Sequence, residues 1–448
     1  MVDLAISNAL IINEGKQQIG TVYIDNKTIT RIEYGTTTAK VEARRVIDGT
    51  GKWLIPGVID DHVHFREPGL CHKGDIESES QAAVAGGVTS FMEMPNTVPQ
   101  TTSLELLEQK FALAAEHSVA NYSFYIGATA NNVDQIAKVP VHRVCGVKLF
   151  MGSSTGNMLV DDGNALEQIF KAAPTLIAAH CEDEALIRRN AKQCRAQYGE
   201  TPPFSVHATI RDAEVCYRSS AKAVELAKQH GARLHLMHIS TARELSLLNN
   251  TQNSANKQIT GEACIAHLWL NDTQYAQLGW RMKCNPSVKS EADRMALINE
   301  LKNNTIDLIG TDHAPHLREE KDRNYFESAS GIPTIQHSLV AMLELSKRGM
   351  FGPELVVQKM CHAPADIFRI DRRGYIREGY YADLVLIDAN RPQTVDCESL
   401  RYKCKWSVLE GETFGASVDT TVVNGRMVYE NGQIDSTVKG SALAFNAR

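Results

Sequence analysis

The sequence lacks the excess of basic residues that is typical of proteins that bind nucleic acids. It has 448 residues, with 47 lysines and arginines against 53 aspartates and glutamates, and its formal net charge is -6. No block of like charge forms a tail or a basic arm. We therefore expect no nucleic-acid partner. A mildly acidic protein that acts on an anionic small molecule must gather positive charge locally, in individual arginines, histidines or metal ions.

The sequence also lacks Cys-x-x-Cys pairs and long apolar runs, and we expect no leader at its N-terminus. Its ten cysteines include no Cys-x-x-Cys pair, which argues against a cysteine zinc site and against a redox pair. The N-terminus, Met1-Val2-Asp3-Leu4, does not begin a basic segment followed by an apolar one. No apolar run is long enough to span a bilayer. These absences predict a cytoplasmic protein with free thiols and no membrane partner.

The two ends of the chain resemble each other and differ from the middle. Apolar segments such as Leu4–Ile12 and Ala382–Ile387 have the length and composition of strands, and Asn424-Gly425 is typical of a hairpin turn. The economical interpretation is one small β-sandwich domain assembled from both termini. We predict an N-terminal part, a larger central domain and a C-terminal part with the boundaries 1–53, 54–365 and 366–448.

The middle of the chain alternates short apolar runs with stretches of helical period, for example Leu104–Ala115, Asp212–His230 and Ser290–Leu301. Eight such runs are the number of strands in a (β/α)8 TIM barrel. A doubly wound open sheet would also alternate, but it would not explain why polar residues follow nearly every strand. We therefore predict an α/β barrel. The predicted strands are Leu54–Ile59, Thr89–Met94, Ser123–Ile126, Gly146–Phe150, Thr175–Ala179, Leu234–Ile239, Ile259–Ile265 and Ile306–Ile309.

Histidines and carboxylates follow the predicted strands, at the edge where such barrels carry their chemistry. After the first strand come His62 and His64. Because residues two apart in an extended segment point to the same side, both can reach one ion. Imidazoles with a carboxylate suit zinc, and also Mn, Co or Fe. The other candidate ligands, after the fourth, fifth, sixth and eighth strands, are Lys148, His180, His238 and Asp312.

This order of residues resembles the signature of the amidohydrolase superfamily. The resemblance implies two Zn²⁺ ions per chain, bridged by Lys148 after its carboxylation by CO₂, which would turn a costly buried cation into an anionic ligand. Asp161, in Asp161-Asp162-Gly163, is the alternative bridge, because some bacterial dihydroorotases have an aspartate in a similar motif. The segment Val147–Met151 is more similar to the lysine-containing branch.

The predicted reaction is the hydrolysis of a cyclic amide and its reverse. Two divalent ions lower the pKa of bound water and polarise a carbonyl group. Asp312, beside them, would take a proton from the water and return it to the departing amide nitrogen. Asp312 is thus expected to be both a metal ligand and the catalytic base and acid.

Three motifs narrow the substrate. The segment His64–Gly69 resembles the dihydroorotase motif, whereas allantoinases usually have Asn in place of Arg66 and hydantoinases lack the Arg-Glu-Pro-Gly stretch. Dihydroorotate has an exocyclic carboxylate, which a guanidinium can bind through two hydrogen bonds. The resemblance adds two more donors to that carboxylate and two contacts to the ring. These residues are Asn96 and His316 for the carboxylate, and Asn285 and Gly331 for the ring.

Some residues near these motifs depart from the family pattern. Lys289 and Thr334 replace the usual residues of two loops, so their roles stay open. His267, after the seventh predicted strand, is either structural or close to the metal ligands.

The leading hypothesis is a dihydroorotase that interconverts (S)-dihydroorotate and N-carbamoyl-L-aspartate in pyrimidine biosynthesis. The enzyme alternative is allantoinase or another cyclic amidase, against which Arg66 and His316 argue. A non-catalytic scaffold of the same fold is the alternative from another class, and the complete set of ligands argues against it. Family analogy suggests a homodimer, and association with an aspartate carbamoyltransferase stays open.

Overall fold

The computed structural model describes residues 1–37, 41–152 and 158–446. Its strands form an eight-stranded parallel barrel, a nine-stranded sheet built from both ends of the chain, and a separate two-stranded sheet near the C-terminus. Five strands precede the barrel: β1 (Val2–Asn13), β2 (Lys16–Asp25), β3 (Thr28–Tyr34), β4 (Ala43–Asp48) and β5 (Trp53–Pro56). The barrel strands are β6 (Val58–Val63), β7 (Val88–Glu93), β8 (Asn121–Gly127), β9 (Gly146–Phe150), β10 (Ile177–His180), β11 (Leu234–Leu236), β12 (Ile259–Cys264) and β13 (Leu308–Gly310). After the barrel come β14 (Leu384–Asp388), β15 (Gln393–Thr394), β16 (Thr413–Phe414), β17 (Ser417–Val423), β18 (Arg426–Glu430) and β19 (Gln433–Ile434).

The described helices follow the barrel strands and pack outside them. The first seven are α1 (Ile76–Ala85), α2 (Leu104–His117), α3 (Val133–Ile136), α4 (Gly163–Ala172), α5 (Glu184–Tyr198), α6 (His207–Ile210) and α7 (Ala213–His230). The others are α8 (Ile265–Trp269), α9 (Tyr275–Leu278), α10 (Glu291–Lys302), α11 (Arg318–Lys321), α12 (Ser338–Lys347), α13 (Pro353–Val357) and α14 (Ala363–Phe368). Within the described ranges, none of these helices has both the length and the apolarity needed to cross a membrane.

The three helical stretches named in the sequence are confirmed as α2, α7 and α10, and their ends have local causes. Ser103, Asp212 and Ser290 each accept a hydrogen bond from a backbone amide in the first turn of α2, α7 and α10. Such caps satisfy amides that have no partner inside the helix. Helix α7 ends at Gly231, whose φ of 65° places it in the left-handed region that favours glycine.

The predicted parallel barrel is confirmed. Successive strands from β6 to β13 are neighbours, and nearly every barrel-strand side chain is buried, as expected of a parallel sheet covered by helices. The barrel closes where β6 and β13 end. There Val63 and His313 form a parallel bridge, and the amide of His64 donates to the carbonyl oxygen of His313 at 2.8 Å.

The predicted strand Leu54–Ile59 is wrong as a single strand. Trp53–Pro56 pairs with both β1 and β14 and thereby joins the N-terminal and C-terminal strands in one sheet. The chain then passes Gly57, which has no room for a side chain against Thr89, and enters the barrel at Val58. The barrel therefore begins four residues after the predicted boundary at residue 54. Pro56-Gly57, inside the apolar run, was the available signal that one segment contributes to two sheets.

Candidate active site and metal centre

The six predicted metal ligands line one cavity at the carboxyl ends of the barrel strands. The cavity has about 380 Å³ of empty space, including the part that opens to solvent. The ligands that line it are His62, His64, Lys148, His180, His238 and Asp312, and the rest of its wall is Phe150, Asn285, Ala314, Ser330 and Gly331. Six ligands from five different barrel strands are thus brought together by the closure of the barrel.

One group of candidate ligands comes from the two strands that close the barrel. Asp312 Oδ1 lies 3.1 Å from His62 Nε2 and 3.1 Å from His64 Nε2. Burial alone would raise the pKa of Asp312, but the two imidazoles hold it well below its usual value. The φ angle of Asp312 is 48°, which is costly for a residue with a side chain and is often found at functional sites. This group has the composition and spacing of a metal subsite.

A second group lies across the cavity. His180 Nδ1 is 2.8 Å from His238 Nε2. Burial lowers the pKa of both side chains, so each imidazole is neutral at pH 7, which is the form that binds a metal ion. The rings of His62 and His238 are 5.4 Å apart between centroids, so the two groups adjoin.

Lys148 is fully buried between these groups. Its ammonium donates to Met237 Sδ at 2.6 Å, and within the described ranges it forms no ion pair. Sulfur is a weak acceptor, and burial lowers the pKa of this lysine to about 8. By contrast, the alternative bridge Asp161 is exposed and lines a separate surface cavity with Arg188 and Arg218. A poorly paired buried amine fits conversion to an anionic ligand.

Taken together, the residues present fit a pair of divalent ions. Four imidazoles and a carboxylate surround one cavity, and they are borderline ligands of the kind that zinc prefers. The carboxylates beside His62 also favour a positive charge in the cavity. Burial would lower the pKa of His62, but the adjacent Glu262 and Asp312 raise it to about 10. A divalent cation would supply the positive charge that a proton on His62 supplies in this structure.

Three of the histidines have a buried partner on the nitrogen that faces away from the cavity. His62 Nδ1 lies 2.6 Å from Glu262 Oε1, His64 Nδ1 lies 2.8 Å from Asn96 Oδ1, and His180 Nε2 lies 3.1 Å from Glu182 Oε2. Glu182 is itself paired with Arg211. Such partners orient metal ligands and select their tautomers. No role was predicted for Glu262, Glu182 or Arg211, although an isolated carboxylate in the apolar run Ile259–Ile265 was a usable signal.

Arg66 and His316 lie next to each other, close to the cavity but not on its wall. Arg66 is 1% exposed, its Nε donates to the carbonyl oxygen of Pro315 at 3.0 Å, and its Nη2 lies 3.1 Å from His316 Nε2. Lys73 Nζ lies 3.2 Å from His316 Nδ1. Burial lowers the pKa of Arg66 to about 10 and that of His316 well below its usual value. The imidazole is therefore neutral between two cations.

Asn285 and Gly331, the residues expected to contact the ring, lie on the cavity wall. Asn285 Oδ1 is buried and has no hydrogen-bond partner among the described residues. Gly331 has φ 141°, and a Cβ there would meet Ala314 O at 2.8 Å. Its amide donates to Lys283 O at 3.0 Å, so a ring amide of a substrate would meet the carbonyl oxygen of Gly331 instead.

The three residues with open roles lie behind this wall. Lys289 Nζ donates to the Ser287 hydroxyl at 2.8 Å and to its carbonyl oxygen at 2.9 Å, which ties one loop together. The amide of Thr334 donates to His313 Nδ1 at 3.1 Å. His267 Nε2 lies 3.1 Å from Pro286 O. Their described contacts hold the loops and residues that lie behind the cavity wall.

Comparisons with known proteins agree with this geometry. The model of the amidohydrolase family matches residues 53–428. The chain is 31% identical to the dihydroorotase of Halobacterium salinarum over 385 residues, 86% of this chain and 88% of that protein. It is 30% identical to the allantoinase of Bacillus velezensis over 438 residues, 96% and 94% of the two chains. The solved L-hydantoinase of Arthrobacter aurescens superposes with a TM-score of 0.91 at 27% identity, covering 97% of this chain and 98% of that one. With the barrel, the histidine arrangement and the family match all in agreement, the chain belongs to the amidohydrolase family.

Proposed function

We propose that the protein is a zinc-dependent dihydroorotase, which opens and closes the amide ring between (S)-dihydroorotate and N-carbamoyl-L-aspartate. The observation that carries this proposal is that the buried guanidinium of Arg66 has no counter-ion among the described residues. Within the described ranges its guanidinium forms no ion pair, although it is buried, and the hydrogen-bond partners found for it are a carbonyl oxygen and a neutral imidazole. A buried cation without a counter-ion is costly, so a substrate with a carboxylate would restore the balance.

The surroundings of Arg66 support an anionic substrate. Lys73 lies on the other side of His316 and is paired with Glu320 at 3.2 Å. Arg66 is therefore the cation at this end of the site for which the described residues supply no ion pair. The amide of Asn96, whose Oδ1 accepts from His64, and the ring of His316 are proposed to complete the carboxylate site with Arg66. Allantoin and simple hydantoins have no carboxylate and would leave this charge unbalanced.

The metal centre in this proposal is held by His62, His64, His180, His238, Asp312 and carboxylated Lys148. Two divalent ions bound there would supply a water molecule of lowered pKa and polarise the scissile carbonyl. The chain itself supplies the proton transfer. Asp312 Oδ1, which lies between His62 and His64, would accept the proton of the attacking water and donate it to the departing ring nitrogen. The closing of the ring follows the same path in reverse.

The opposite wall would orient the ring. Asn285 Oδ1 is a buried acceptor and suits a ring N–H group, and the carbonyl oxygen of Gly331 suits a second one. The absence of a side chain at Gly331 lets the ring approach the backbone closely. These contacts would leave the scissile amide facing Asp312.

A substrate panel tests the proposal directly. The purified protein, loaded with zinc and analysed for metal, is assayed with dihydroorotate, N-carbamoyl-L-aspartate, allantoin and a 5-substituted hydantoin. We expect turnover in both directions between the first two, with a kcat/KM at least about 100-fold above that for the neutral rings. The L-hydantoinase and allantoinase similarities make a neutral ring the second candidate substrate. Preferred turnover of allantoin or the hydantoin would therefore replace the proposal with that alternative.

A further inference from the structure

We propose that Glu262, on β12, is a positioning residue that fixes candidate ligands of both metal subsites at once. The inference rests on the proposed metal centre and extends it to a strand to which no ligand was assigned. Glu262 is fully buried, and its Oε1 lies 2.6 Å from His62 Nδ1. The same oxygen accepts from the backbone amide of His238 at 2.8 Å. One carboxylate oxygen therefore contacts one ligand from each group.

The contact with His62 selects its tautomer. An ionised carboxylate only accepts hydrogen bonds, so His62 must carry its proton on Nδ1. In the neutral form that binds a metal ion, the lone pair is then left on Nε2, the nitrogen that lies 3.1 Å from Asp312 Oδ1 inside the cavity. A neutral partner in place of Glu262 would also make the imidazole a weaker ligand, because a carboxylate partner raises its basicity.

The contact with His238 acts on the backbone. The φ angle of His238 is 41°, in the left-handed region that residues with side chains rarely adopt. A charge-assisted hydrogen bond from its amide to Glu262 offsets part of the cost of this conformation. The conformation in turn sets the direction in which the imidazole leaves the chain toward His180. Glu262 thus holds the second subsite through the main chain rather than through the ring.

A third contact holds the Oε1 atom of Glu262, since Cys264 Sγ donates to it at 3.2 Å. Oε2 has no hydrogen-bond partner among the described residues, and His235 Nε2 lies 3.8 Å from it. Behind Oε2 stands Gly310, where a Cβ would come within 2.8 Å of that oxygen. Glu182, by comparison, contacts one candidate ligand, His180. Among the described carboxylates that back the ligands, Glu262 is the one in contact with both groups.

The test compares zinc binding by Glu262→Gln and by the wild-type protein. The control is Asp307→Asn, another fully buried carboxylate, which accepts from the amide of Gly261 and pairs with Lys257 away from the cavity. Each protein is stripped of metal, titrated with Zn²⁺ against a competing chelator, and analysed for metal content. We expect Glu262→Gln to bind both ions about 10–100-fold more weakly, and Asp307→Asn to bind them as the wild type does.

Wild-type affinity for either ion in Glu262→Gln would overturn the inference. If that variant does not fold, Glu262→Asp serves instead, since it keeps the charge but is too short to reach both partners. Wild-type zinc affinity in folded Glu262→Asp would overturn the inference equally. A wild-type protein that binds no zinc would tell against the metal centre itself, which is a different result from two ions bound equally by wild type and variant.

Discussion

The amide of His64 donates to the carbonyl oxygen of His313 at 2.8 Å, and this bond joins the first barrel strand to the last. It places the segment of His62 and His64 beside Asp312 through the main chain. His313 is held in turn by Glu79, whose Oε2 lies 2.8 Å from its Nε2. The same contacts that close the barrel therefore also set the spacing of one metal subsite. Mutations where the ends of β6 and β13 meet are expected to affect both the fold and the site. Side-chain changes inside the cavity are expected to affect only the chemistry.

Replacement of Asp312 by asparagine is expected to abolish most turnover while the protein stays folded. Asparagine keeps the shape of the side chain but cannot accept the proton, and general acid–base catalysis contributes about 10²–10⁴-fold. Steady-state assays at saturating zinc should show kcat reduced by at least about 100-fold. A variant that holds two zinc ions and keeps a tenth or more of the wild-type kcat would refute the role of Asp312 as the proton carrier.

Replacement of Arg66 by glutamine is expected to act on substrate binding. A hydrogen bond to a charged group contributes about 1.5–3 kcal/mol, so KM for dihydroorotate should rise about 10–100-fold with a smaller change in kcat. Arg373→Gln is the matched control, because Arg373 is a buried arginine paired with Asp383 in the terminal sheet. An unchanged KM in folded Arg66→Gln would remove the proposed carboxylate site.

Replacement of Gly310 by alanine is expected to weaken metal binding without changing any charged or ligating group. The added Cβ would lie 2.8 Å from Glu262 Oε2 and 3.1 Å from Asp61 Oδ1, so the Glu262 carboxylate must shift from the position in which it contacts His62. Overpacking of this kind costs about 1–3 kcal/mol of stability. Zinc titration should show affinity about tenfold lower, whereas Gly163→Ala, at a glycine with open space around it, should match the wild type. Equal affinity in the two variants would show that Glu262 tolerates the shift.

Lys359, which lies outside the active site, is expected to make the unfolding free energy of the protein depend on pH. It is buried, and it donates to Ile306 O at 2.7 Å and to Asn304 Oδ1 at 2.9 Å. Burial lowers its pKa from 10.5 to about 8. Below pH 8 both the folded and unfolded chains hold the proton, and the full cost of burying the charge is present. Between pH 8 and 10.5 the unfolded chain holds more protons, so the unfolding free energy should rise with pH.

The quantity to measure for Lys359 is the difference in unfolding free energy between the wild type and Lys359→Met. Denaturant unfolding of the wild type and of Lys359→Met, repeated from pH 7 to pH 10, isolates this group from the others that titrate in the same range. The wild type should gain about 2 kcal/mol relative to the variant over this interval, at 1.36 kcal/mol for each unit of pKa shift. A constant or falling difference would mean that the buried lysine keeps its ordinary pKa.

Much of the fold and of the candidate site was predictable from the sequence, for a physical reason. Parallel strands of a barrel end at one edge, so residues such as His62 and His180 that directly follow apolar runs must converge. Helix ends were predictable where a cap residue such as Ser290 precedes an amphipathic run. Both inferences depend on local patterns.

The features of the fold and site that could not be predicted depend on contacts between segments that are distant in the sequence. Glu262 meets His62 across 200 residues of sequence, and no spacing rule connects them. Asn96 was predicted to bind a substrate carboxylate, and the structure adds a contact of its Oδ1 with His64, which depends on how two strand ends approach. Trp53–Pro56 was apolar enough for either sheet, and the partner strand β14, more than 300 residues later, decides where it belongs. The homodimer, too, stays a prediction.

A crystal structure of the zinc-loaded protein, with anomalous diffraction data collected at the zinc edge, would show whether the two-metal centre exists. We expect two peaks in the cavity, one within about 2.0–2.2 Å of His62, His64 and Asp312, and one at the same distance from His180 and His238. Density for a carboxylated Lys148 should lie between them. A single peak elsewhere, or an empty cavity in protein that has been saturated with zinc, would contradict the account.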